Sequence, residues 1–230
     1  MRLAFALSIP AVLAALLFAI GHSPAADPTA QTAIEGTVTY RADPARPWRY
    51  SRYYIKQAKT GELAEAVVAL RAKATIDPAR QPQAVVVDQQ NFQFQPETVA
   101  IRQGDSITFT NADQATHNVQ ASSEITNFNV NMPGGGEHTV RFDRAGGIRQ
   151  PAKIGCVFHS AMQCWIFVFD HPWFQITPAS GRFRLADVPP GQYDLELLHP
   201  AGGLRWKKRV EVKAGQTLRI DIPLSPDDKV

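Results

Sequence analysis

Short stretches in which β-branched or aromatic residues alternate with polar ones recur along most of this chain, each closed by Gly, Pro, Asn or Asp. Punctuation at about every 8–12 residues is the pattern of an antiparallel sandwich or barrel. The segments are Ile34 to Tyr40, Ala66 to Ala72, Val85 to Val87, Phe92 to Phe94, Thr98 to Ile101, Ser106 to Thr110, Thr139 to Phe142 and Trp165 to Phe169. After Pro172 a second set follows at Arg182 to Leu185, Tyr193 to Leu198, Trp206 to Val212 and Leu218 to Ile222. No sustained helical periodicity competes with them beyond the first residues, so the expected fold class is all-β.

Those first residues carry a different message. Met1-Arg2, an apolar run from Leu3 to Ile20 and the small residues Ser23-Pro24-Ala25-Ala26 read as a signal peptide over 1–25. Export to the periplasm or the medium is expected, with membrane attachment only if that segment stays uncleaved. The 24 Lys and Arg exceed the 21 Asp and Glu by 3, with no long basic block. Nucleic acid is therefore not an expected partner. Basic and aromatic residues do interleave at Pro47-Trp48-Arg49-Tyr50-Ser51-Arg52-Tyr53-Tyr54. A loop covering a neighbouring sandwich explains them better than a stacking platform, since nothing else in the chain supports stacking recognition. Ile76 to Pro82, with two prolines and no apolar pattern, marks a boundary.

Soft donors cluster late in the chain: Cys156, His159 and Met162 lie within seven residues, and His117 stands upstream. Two imidazoles, a thiolate and a weak axial thioether suit a copper ion that changes oxidation state by one electron. Cys-x2-His-x2-Met lets one tight loop bring three donors to an ion, while His117 arrives from a neighbouring strand end. Asn118 is placed to brace the two segments by hydrogen bonding.

At Asn111-x5-His117-Asn118-Val119 and at Cys156-Val157-Phe158-His159-Ser160-Ala161-Met162 the sequence resembles the cupredoxins, the blue copper proteins, in their amicyanin/plastocyanin-like form. The resemblance covers residues 84–171. It implies a Greek-key sandwich with one copper ion cycling between Cu(I) and Cu(II), held by His117, Cys156, His159 and Met162. It also implies an electron carrier with no catalytic residues of its own, not an enzyme, in which His159 is the edge through which electrons pass. The short loop is similar to that of proteins serving methylamine utilisation, which implies a dehydrogenase or cytochrome as redox partner.

The flanks resemble the carboxypeptidase regulatory-like, transthyretin-like sandwich at Gly36-Thr37-Val38, Ala66-Val67-Val68-Ala69-Leu70, Gly181-Arg182-Phe183 and Pro189-Pro190-Gly191-Gln192-Tyr193. This implies a discontinuous β-sandwich over 32–75 and 174–224, into which the copper domain is inserted. Its role would be scaffolding.

Two other readings stay open at this level. Cys156 and Cys164, eight positions apart, form a disulfide by default in an oxidising compartment, which would leave His159 and Met162 as ordinary loop residues. Against this, Met162, Cys164, Ile166 and Val168 fall on one face of a strand, so Cys164 reads as a small buried hydrophobe. A store or delivery factor could also use the same four ligands. His138, His171 and His199 read as loop or structural residues, Met132 as a gap-filler, and Phe158, Phe128 and Met132 as the groups excluding water. The second apolar face of Trp165 to Phe169 is expected to pack on the other module.

Overall fold

The computed structural model describes residues 32–41, 60–73 and 79–228. The signal segment and the Trp48 to Tyr54 stretch lie outside the described residues. The first strands are β1 (Ala33–Tyr40) and β2 (Val67–Arg71). Next come β3 (Ala84–Gln90), β4 (Gln93–Gln95), β5 (Thr98–Arg102), β6 (Ser106–Asn111), β7 (His117–Ser122), β8 (Asn127–Met132), β9 (Glu137–Arg141), β10 (Ala152–Gly155) and β11 (Gln163–Phe169). The chain ends with β12 (Phe174–Ile176), β13 (Arg182–Ala186), β14 (Gly191–His199), β15 (Leu204–Val212), β16 (Thr217–Arg219), β17 (Ile222–Leu224) and a short 3-10 turn at Pro226–Asp228. The protein is all-β.

Alternation dictates which faces meet. Sheets β4-β3-β6-β9 and β5-β11-β10-β7-β8 enclose one core, to which β6 contributes Ile107 and Phe109 and β7 contributes Val119 and Ala121. Sheets β13-β1-β16 and β12-β2-β14-β15, with β17 also paired to β1, enclose another around Ile34, Val38, Leu70, Leu195, Phe183 and Ile222. The strands before residue 84 thus share sheets with strands after residue 173.

Strand β11 serves the first core and the seam between the sandwiches. Met162, Cys164, Ile166 and Val168 face the first, while Phe167 and Phe169 join Val67, Ala69 and Leu198 of β2 and β14 in a third cluster between the sandwiches. Phe169 stacks on Phe174 at 4.4 Å between centroids. A fully buried Phe is worth about 1.5–3 kcal/mol over an exposed one, so this seam holds the sandwiches together.

Some expectations are corrected. Leu218 to Ile222 is not one strand: β16 and β17 are separate, because at the break Ile220 N–H donates to Glu35 O and Asp221 Oδ1 accepts Thr37 N–H. Gly36 makes this crossing possible, since a Cβ there would lie 1.8 Å from Ile220 O. His138 sits within β9 opposite Phe109, half-buried, and not in a loop. Strands β8, β10 and β12 were not expected; in β8 (NFNVNM) the polar positions are all Asn, a residue depleted in strands, which masks the alternation of Phe, Val and Met.

Candidate metal centre

The end of β10 lies beside β7, where Gly155 pairs with Gln120 and with Gln163. The next residue, Cys156, opens the loop to β11 and thereby faces the start of β7, where His117 is the first strand residue. Met162 N–H donates to His159 O at 2.9 Å and turns the loop back on itself. The three donor atoms of His117, Cys156 and His159 consequently lie within 4.8 Å of one another.

His117 Nδ1 and His159 Nδ1 are 3.1 Å apart, and Cys156 Sγ is 3.6 Å from His159 Nδ1. His117 is fully buried, Cys156 nearly so, and His159 is half-buried at the rim. Met162 is buried in the same core cluster as Cys156. Met132, the register partner of His117, fills the core beneath it, with its Sδ accepting from Gln89 Nε2 at 3.4 Å.

Hydrogen bonds fix the ligand-bearing segments. Asn118 Nδ2 reaches Asn129 Oδ1 at 2.7 Å and Asn131 Oδ1 at 2.9 Å, its Oδ1 accepts Val157 N–H at 3.4 Å, and its own N–H donates to Cys156 Sγ at 3.3 Å. Asn111 Nδ2 donates to Ala115 O and Met132 O, both at 2.9 Å. The other ring nitrogen of His117, Nε2, meets Asp113 Oδ2 at 2.8 Å. That contact engages Nε2 and leaves Nδ1 as the donor on the Cys156 side, which is the tautomer a metal at this point requires. The donor chemistry therefore fits copper, whose preference for thiolate and imidazole this set supplies.

Cys164 does not join them. Its thiol is free, fully buried opposite Ile154, and pushed up by burial, with its Sγ directed at Pro96 O 3.6 Å away. Both cysteines are free thiols, so Cys156 keeps its sulfur for the site.

The expected water-excluding groups are only partly right. Phe158 is 53% exposed, and Phe128 packs away on Phe109 and His138. Phe92 covers the site instead, edge-on to His117 at 5.3 Å and to His159 at 4.8 Å. Neither Phe92 nor Asp113 was singled out in the sequence. The only signals were a carboxylate four positions ahead of the histidine and an Asn before Phe92 that tolerates a left-handed turn.

His171 and His199 lie away from the site. Each accepts a nearby backbone N–H at Nδ1, from Trp173 at 3.2 Å and from Gly202 at 3.0 Å, and burial lowers the basicity of both.

A β-sandwich that brings two imidazoles and a thiolate together at one end defines a copper-binding domain. Residues 82–168 match the model of the copper binding proteins of the plastocyanin/azurin family, so this stretch is a cupredoxin domain and its cofactor is copper. No curated protein matches the chain. Among solved structures it is similar to a Cu-containing nitrite reductase from Thermus scotoductus SA-01, at 20% identity and a TM-score of 0.36, over 43% of this chain and 25% of that one. It is also similar to amicyanin from Paracoccus versutus (Thiobacillus versutus), at 20% identity and a TM-score of 0.34, over 44% of this chain and 97% of that one. A Cu(I) amicyanin variant aligns at 18% identity and a TM-score of 0.33, over 44% of this chain and 98% of that one. Among the described residues no helix is long and apolar enough to cross a membrane.

Proposed function

We propose that this protein is an exported, mononuclear type 1 copper protein that carries single electrons between redox partners and is not itself an enzyme. The observation that carries this reading is the convergence of His117 Nδ1, His159 Nδ1 and Cys156 Sγ. Met162, buried beside Cys156, would complete the set as the axial ligand. Copper supplies the one-electron change, and the chain supplies a fixed frame: two loops braced by Asn111 and Asn118 that hold the donors in one arrangement for both oxidation states.

Of the three close donors only His159 reaches the rim, where Phe92, Val157 and Phe158 are each about half exposed. That apolar ring around a ligand edge suits brief docking of a redox protein, a dehydrogenase or a cytochrome, without a large buried interface. Residues 1–25 would direct export to the periplasm or the medium. The sandwich built from 32–75 and 174–224 would be a carboxypeptidase regulatory-like scaffold. Its support is the pairing of β1 and β2 with strands beyond residue 173, together with the short sequence patterns at Gly36 and Pro189.

The test is to load the purified protein with Cu(II) and record the visible spectrum and voltammogram. An intense thiolate-to-copper band with a reversible couple is expected. Tight Cu(I) binding with neither would indicate a store or delivery factor.

A further inference from the structure

Three donors converge on one carboxylate beside the site. Asp113 Oδ1 accepts Asn91 N–H at 2.8 Å, while Oδ2 accepts both Phe92 N–H at 2.9 Å and the Nε2 side of His117 at 2.8 Å. Asn91 and Phe92 form the two-residue turn of the β3–β4 hairpin, with Gln90 paired to Gln93. Their φ values are 56° and 59°. Such a turn needs φ above zero at both positions and favours Gly at the second, so Phe there is strained. The strain places Phe92 edge-on to both imidazoles.

Asp113 is itself held in place. Its N–H donates to Asn111 Oδ1 at 3.1 Å, and Gly134 lies so close to its carbonyl that a Cβ there would come within 2.6 Å. The side chain keeps only 15% of its exposure.

We propose that Asp113 is the positioning residue of the copper centre: its carboxylate holds His117 in the Nε2–H form and pins Phe92 over the two ligand rings. The inference rests on the copper reading given above. Its chemistry is that of a carboxylate behind a ligand imidazole, which strengthens the ring as a donor and favours Cu(II) over Cu(I). The same group closes the site against water through Phe92. The turn and the ligand therefore move together or not at all.

Asp113→Asn separates these roles from bulk. An amide has one acceptor oxygen, so three donors cannot all be served, and its NH2 group faces a donor it cannot bond. Cu(II) binding by the full chain should weaken about 10- to 100-fold. If Cu(I) binding is unchanged, the tenfold end of that range raises the reduction potential by about 59 mV. Hydrogen exchange at the Asn91 and Phe92 amides should quicken at least tenfold. Nitrogen NMR of the metal-free wild type in mildly alkaline solution should show His117 as Nε2–H, and this needs neither copper nor a folded variant. Wild-type Cu(II) affinity, potential and exchange in Asp113→Asn, or an Nδ1–H tautomer in the metal-free wild type, would overturn the proposal. A wild-type protein that binds no Cu(II) at all, yet shows the Nε2–H form, would remove the copper reading and keep only the hydrogen-bond assignment.

Discussion

The backbone N–H of Asn118 donates to Cys156 Sγ across 3.3 Å, joining the start of β7 to the first residue of the β10–β11 loop. A hydroxyl oxygen can accept the same bond, so a serine at this position keeps the link while losing the thiolate. In Cys156→Ser the charge-transfer colour and the bound copper should vanish, while the melting curve reports a loss of about 1 kcal/mol or less. Visible absorption, metal analysis and calorimetry decide it. Unchanged colour and copper content would take Cys156 out of the site.

Met162 offers a finer test, because it lies in the same core as Cys156 yet its donor role is the weakest of the four. Leu matches its volume, so Met162→Leu should cost under about 1.5 kcal/mol. Without an axial sulfur, Cu(II) loses more donation than Cu(I), and the reduction potential should rise. Voltammetry that gives the same potential in both proteins would place the Met162 sulfur outside the reach of copper.

The difference between what was legible and what was not follows the range of the interactions. His159 could be tied to Cys156 because a single loop holds both, and His117 was picked out as an imidazole at a neighbouring strand end, which is where it lies. Period-two alternation correctly sorted β11 into a face for Cys164 and a face for Phe167. The Asp113 contact was not readable, since it needs the β3–β4 hairpin turn to meet the β6–β7 connection that crosses between the two sheets, and that hairpin turn has Phe at a position that favours Gly. Nor was the exposure of Phe158, which depends on how a short loop folds over and not on its composition. The break between β16 and β17 was hidden for a similar reason: it answers to Gly36, nearly two hundred residues away in sequence.

Phe167 is fully buried in the cluster between the two sandwiches, on the face of β11 opposite Cys164. Phe167→Ala should lower unfolding stability by about 3–5 kcal/mol through lost contact and the cavity left behind. The copper spectrum should stay as it is, because the site side of β11 is untouched. Denaturant titration followed by both fluorescence and copper colour provides the measurement. A loss under about 1 kcal/mol would show that neither sandwich leans on this seam.

His199, the last residue of β14, is fully buried, accepts Gly202 N–H at 3.0 Å and also bonds the backbone of Ala64. Burial, which penalises the imidazolium, lowers it from an ordinary 6.5 to about 4. The native state therefore binds fewer protons than the unfolded chain between these values. The stabilisation is complete above about 6.5 and is lost as the pH falls toward about 4. Its size is on the order of 3 kcal/mol. Urea unfolding across that window should show stability falling with acidity, and His199→Gln, which does not titrate, should flatten the slope. An equally steep slope in the variant would assign the acid sensitivity to other groups.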